Sequence, residues 1–144
     1  MGLPSSSLFG VAVLCAAGSL VLASSRTSGD ALRPLRYDRD VRSILSDRCF
    51  RCHGPDAGKR QAELRLDVAE IATAVRDGHA AIVPGSAEKS ELLRRVSSTD
   101  DDVRMPPPKS GRRPLSPDER EIVRRWISEG ARYEPHWSFV APVR

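Results

Sequence analysis

The chain of 144 residues is long enough for one domain with tails. Hydrophobic residues at 40% and charged residues at 29% place it among soluble globular chains. The net charge of +4 comes from 23 basic against 19 acidic side chains, interspersed as in Arg39-Asp40 and Asp118-Glu119-Arg120. That mixing argues against the concentrated basic stripe of a nucleic-acid binder. Aromatics are only 5%, so a bound planar cofactor would supply apolar bulk that the side chains lack.

No charged side chain occurs before Arg26, and residues 8–23 form an almost unbroken apolar run. The run is shorter than the roughly 20 apolar residues of a membrane span and fits a signal peptide over residues 1–23. Val21 and Ala23 suit cleavage before Ser24. The basic residue usual before such a run is missing, so an uncleaved anchor over residues 8–23 is the alternative. The protein is therefore expected to be periplasmic or otherwise exported, and to meet a membrane only if this segment is retained. Cys15 reads as an apolar residue of the discarded segment. Residues 24–36, rich in Ser and Arg with Gly29 and Pro34, predict a flexible linker.

A domain is expected over residues 37–133. Val41, Ile44 and Leu45 form one helical face within Tyr37 to Arg48. Residues 54–65 contain Gly54, Pro55 and Gly58 and predict a loop. Asp67 and Glu70 form a capping box that predicts a helix carrying Val68, Ile71, Ala72 and Val75 and ending near Gly78. Ile82-Val83-Pro84-Gly85 reads as extended chain or turn. Ser86 is expected to cap a short helix with Leu92, Leu93 and Val96. Residues 97–115 are polar and rich in Pro and Gly, a loop long enough to imply function or disorder. The last helix has the strongest signals: Ser116 as N-cap, Pro117 at the first helical position and Glu119 closing a capping box. Its apolar stripe is Ile122, Val123, Trp126 and Ile127, and Gly130 ends it. The expected class is all-α, with about four helices and long loops.

Cys49-Phe50-Arg51-Cys52-His53 is the attachment pattern of c-type haem. Cysteines at i and i+3 share one face of a helical turn, so their sulfurs can meet two vinyl groups on one edge of a haem. The histidine that follows projects toward the iron. Other uses of the pair are a zinc site, a redox-active dithiol and a structural disulfide. Zinc needs four ligands, and only His79 and His136 remain to complete them. A thioredoxin-like dithiol expects a βαβ context, and none is visible. Export favours haem, because bacterial haem attachment occurs outside the cytoplasm.

Met105 is the leading candidate for the second axial ligand, with His79 and His136 as alternatives. It lies in the long polar loop before Pro106-Pro107-Pro108, where a core role explains it poorly. The prolines reduce the entropy lost in holding the loop over a haem. A thioether raises the reduction potential relative to a second histidine. Lys59, Arg60 and Arg65 could pair with haem propionates, but solvated surface charge is the stronger reading for each. Trp126 is expected to pack in the core.

Beyond this motif, the order of segments resembles the planctomycete-type cytochrome c domain. The matching pieces are Ile44-Leu45-Ser46, Cys49 to Asp56, Leu64-Arg65-Leu66-Asp67, Ile82-Val83-Pro84-Gly85 and Ser90-Glu91-Leu92-Leu93. They continue with Arg104-Met105-Pro106-Pro107, Leu115-Ser116-Pro117, Trp126-Ile127 and Gly130-Ala131. The resemblance implies a small cytochrome c fold with haem-wrapping loops, one covalent haem c with its iron, and transfer of single electrons to a redox partner protein. It also supports Met105 as the distal ligand. In that family His136-Trp137-Ser138-Phe139 commonly leads into further domains, so residues 134–144 are expected to begin a downstream module. An electron carrier is expected rather than a substrate-converting enzyme. The alternatives are a peroxidase-like haem enzyme with an open sixth position and a zinc-stabilised binding module.

Overall fold

The computed structural model describes residues 33–134 and is mainly helical. The expected signal segment, Cys15, most of the linker, His136 and the His136-Trp137-Ser138-Phe139 segment lie outside the described residues. Among the described residues no helix is long and apolar enough to cross a membrane.

The first helical face forms as its periodicity predicts, although it begins with a π-helical turn. That turn, Tyr37–Val41, runs directly into α1, Arg42–Arg48. Val41, Ile44 and Leu45 are buried, and Arg48 shares their stripe and is buried with them. Leu35, inside the expected linker, packs against the core, and its amide donates to Glu129. The described fold therefore reaches back beyond Tyr37.

Cys49 interrupts the helix at φ −120° and ψ −37°, and α2, Phe50–His53, follows it. The region after Asp67 departs from expectation. The predicted helix shrinks to α3, Ala69–Ala72, with Val68 at its N-cap position and no side-chain cap. Arg65 holds the Asp67 carboxylate instead. The chain then makes a two-stranded antiparallel hairpin of β1, Val75–Arg76, and β2, His79–Ala80. Asp77 at φ 49° and Gly78 at φ 80° supply the left-handed pair that a tight hairpin requires. The Asp-Gly dipeptide thus overrides the apolar spacing, and Val75 is left 73% exposed.

The next helix also starts later than expected. Ser86 precedes a 3₁₀ turn, Ala87–Lys89, and α4 runs from Glu91 to Ser97. Buried Ser90 staples the turn: its Oγ donates to the Ser86 carbonyl at 3.0 Å and accepts from the Val83 amide at 2.9 Å. After α4 the chain is irregular except for a 3₁₀ turn at Pro108–Ser110. Helix α5, Pro117–Ser128, begins at a complete capping box. Ser116 Oγ accepts from the Glu119 amide at 3.1 Å, and the Glu119 carboxylate accepts from the Ser116 amide at 2.7 Å.

The core joins the stripe of α1 to Leu92, Leu93 and Val96 of α4 and to Val123, Trp126 and Ile127 of α5. Each large side chain buried there contributes roughly 1.5–3 kcal/mol. Trp126 packs on Tyr37 and Tyr133, with ring centroids 5.6 and 5.2 Å away. Its indole N–H donates to the Arg132 carbonyl at 3.1 Å. Trp126 is thus a core residue, as expected.

Candidate functional site

The break at Cys49 lets one short turn carry three donor side chains. The amides of Cys52 and His53 both return to the Cys49 carbonyl, at 3.1 and 2.8 Å. The following loop then folds back on this turn. The Gln61 amide donates to the Cys52 carbonyl at 2.8 Å, and the Leu66 amide to the His53 carbonyl at 2.9 Å. Arg60 donates to the carbonyls of Gly54 and Pro55. Gly54 is required where the turn ends, because a Cβ there would lie 2.3 Å from the Phe50 carbonyl oxygen.

Met105 is held from the other direction. Its amide donates to the Arg95 carbonyl at the end of α4, at 3.0 Å. The Arg95 side chain pairs with Glu91 at 2.7 Å and reaches toward the Val103 carbonyl at 3.5 Å. Farther on, Arg112 donates to the Asp47 carbonyl at 3.0 Å, tying the Pro-rich stretch to the end of α1.

These segments enclose a cavity of about 460 Å³, within the ~300–1,000 Å³ range of ligand sites. Cys49, Cys52, His53 and Met105 all line it. Much of the remaining surface is apolar, from Leu64, Leu66, Ala81, Leu92, Pro106 and Pro107. The structure thus brings together residues far apart in sequence that were singled out by their chemistry.

Both cysteines are free thiols. Burial pushes the Cys49 thiol up to about 12, against the opposing field of Arg48. Burial also lowers the pKa of His53, which the Gln61 backbone opposes and the charge of Arg95 assists. His53 is therefore held toward its neutral, ligating form. Gln61 stands close enough to raise the ring's proton affinity, yet Nδ1 is buried without a partner in hydrogen-bonding geometry. The cavity offers two thiols, one imidazole and one thioether: a soft, nearly uncharged donor set.

His79 does not join this group. It is exposed on β2 and does not line the cavity. Among the described residues no three His, Cys, Asp or Glu side chains converge to hold a metal ion, so the second half of a zinc site is not assembled there.

Lys59, Arg60 and Arg65 do not line the cavity, in keeping with their reading as surface charge. Lys59 pairs with Asp56, Arg60 grips the loop backbone and Arg65 pairs with Asp67. The cavity is lined instead by Arg48, Arg51, Arg95, Lys109 and Arg112. Lys59, Arg60 and Arg65 take their partners from neighbours in sequence. The signal for Arg48 lay in its spacing, in phase with Val41, Ile44 and Leu45. A charged residue on an apolar stripe is buried with it and needs partners there.

Residues 49–109 match the planctomycete cytochrome C family, the family whose motif order the sequence resembles. No curated protein and no solved structure matches the chain.

Proposed function

We propose that this chain is a c-type cytochrome module that binds one haem covalently and passes single electrons to a redox partner protein outside the cytoplasm. Cys49 and Cys52 would hold the haem covalently through its two vinyl groups. His53 and Met105, which line the same cavity, would hold the iron. When bound, the haem iron supplies a one-electron couple between its ferric and ferrous states. The protein's own residues hold that couple in place and keep water from it. The domain is then a small cytochrome c-like fold, with residues 54–65 and 98–115 as the loops that would wrap the haem.

The observation that carries this proposal is the shared cavity: two thiols, an imidazole and a distant thioether line one apolar space within a segment that matches a cytochrome family. The donor chemistry fits the group. The lowered pKa of His53 keeps its ring available to iron. The apolar side chains suit the faces of a macrocycle, and the thioether favours the ferrous state. The apolar run before Arg26 supports export, the setting in which bacterial haem attachment takes place.

The test is expression of the full chain with export and haem attachment enabled, followed by a pyridine haemochrome assay and acid–acetone extraction. Haem should resist extraction from the wild type and be removable or missing in the Cys49→Ala/Cys52→Ala variant. Retention of unextractable haem in that variant contradicts covalent attachment through these thiols. Met105→Ala should remove the sulfur-to-iron band of the ferric protein and lower the potential. If neither changes, Met105 is not the ligand and the open-site alternative gains.

A further inference from the structure

One cation of the cavity wall, Arg48, is buried as well as charged. The Arg48 side chain is only 4% exposed. Its Nη2 donates to Glu119 Oε1 at 2.9 Å, and Nη1 pairs with the Asp47 carboxylate. Its Nε is buried with no partner, while the side chain lines the same cavity as Cys49, His53 and Met105. Burying a guanidinium is costly unless it is paired and hydrogen-bonded. An aliphatic side chain at this place on the stripe would anchor Cys49 without that cost.

The surrounding charges leave Arg48 incompletely neutralised. Asp47 is 56% exposed, so solvent screens it well, and it is shared with Arg112 at 3.5 Å. Glu119 is 21% exposed and is shared with Arg113 at 3.6 Å. Three cations therefore share two carboxylates, and Arg48, which lines the cavity together with Arg112, is the most buried of the group. Arg48 adjoins Cys49 in the chain and lines the cavity with it, so its field reaches the cavity wall.

We propose that Arg48 is a positioning residue that raises the reduction potential of the haem centre, with Glu119 as the counter-charge that limits the effect. This rests on the cytochrome function proposed above. Loss of one electron from the centre leaves one more positive charge in the cavity. A fixed cation in a poorly hydrated wall disfavours that charge by simple Coulomb repulsion, with little screening by salt. A carboxylate beside the cation offsets part of the repulsion.

The experiment is a spectroelectrochemical titration of the haem-loaded full chain and three variants. Arg48→Met should lower the midpoint potential and Glu119→Gln should raise it, while Arg48→Lys stays close to wild type. The expected size is roughly a tenfold change in the ferrous-to-ferric ratio at a fixed applied potential, the order for one charge across a cavity of this scale at a protein's effective dielectric. Tenfold corresponds to about 59 mV for one electron. The opposite signs separate electrostatics from simple disruption, since opening the cavity to water would lower the potential in both variants. Equal signs, or no shift in either, overturn the proposal. If Arg48→Met does not fold, Glu119→Gln decides alone, because Gln retains the capping box at that position; an unchanged or lowered potential then overturns it. Absence of covalent haem from the wild type overturns the cytochrome function and this inference together. Haem present with unmoved potentials overturns only this inference.

Discussion

The segments that bring His53 and Met105 to the cavity are held in contrasting ways. His53 sits on a short turn whose backbone is closed by its own neighbours. Gln61 and Leu66 donate to the carbonyls of Cys52 and His53, and Gly54 leaves no room for a side chain. Met105 sits in a long irregular stretch that depends on remote attachment. Its amide reaches back to Arg95 on α4, and Arg112 reaches Asp47 on α1. The first arrangement resists displacement through local sterics. The second is only as firm as the helices it is tied to. A site built this way fixes one donor rigidly and lets the other be released by changes elsewhere in the fold.

The largest effect should come from removing the support common to both segments. Trp126 is 2% exposed and packs against Tyr37 and Tyr133. Tyr133 in turn donates its hydroxyl to the Leu66 carbonyl at 3.1 Å. Trp126→Ala should cost about 3–5 kcal/mol, much of the ~5–15 kcal/mol typical of a domain. Urea unfolding monitored by circular dichroism measures it. A loss under about 1 kcal/mol would show that the aromatic cluster does not support the fold as described.

Next in size is a direct comparison of the two segments. Gly54→Ala places a Cβ against the backbone of α2 and should cost about 1–3 kcal/mol. Pro107→Ala, also at the cavity, loses mainly a restriction on the unfolded chain and should cost about 0.4–1 kcal/mol. Comparable losses in the two variants would break the contrast between a sterically fixed turn and a tethered loop.

What could be read in advance follows the same division. Ser116, Pro117 and Glu119 were legible as a helix start because capping is a contest among residues three apart, and the capping box is present. The turn from Cys49 to His53 was legible for the same reason. The Asp67 capping box failed because Arg65 took its carboxylate and because Asp77-Gly78 favoured a hairpin. Both competitors are local too, but the apolar spacing of Val68, Ile71, Ala72 and Val75 outweighed them in the prediction. The tether from Arg95 to Met105 and the pairing of Arg48 with Glu119 join distant parts of the chain, and no local pattern encodes them. Met105 stood out only by its isolation in a polar loop and by the order of motifs around it.

The smallest predicted effect is the most selective for the Met105 segment. Glu91 accepts from Arg94 at 2.7 Å and from Arg95 at 2.7 Å. The bond from Arg94 lowers its pKa, burial raises it, and Arg95 lowers it further, leaving the carboxyl at about 2 against an ordinary 4.5. A carboxyl depressed by folding stabilises the fold fully above its unfolded pKa. That stabilisation fades as pH falls from about 4.5 to about 2. Arg94 is 55% exposed, so solvent screening limits the contribution to about 1 kcal/mol or less. Glu91→Gln should remove this part of the acid sensitivity, seen as a shallower fall of the urea midpoint over that interval. Glu121→Gln is the matched control: it breaks an equally spaced pair with Arg124 on α5, and the 51% exposed Glu121 should give no measurable change. Because Glu91 holds the Arg95 side chain, hydrogen exchange at neutral pH should separate the two segments. Glu91→Gln should speed exchange of the Met105 amide, which rests on Arg95, and leave the Leu66 amide, which rests on His53, as in the wild type. If both amides quicken together, the two segments open as one unit, and the local closure around His53 is no firmer than the tether that holds Met105.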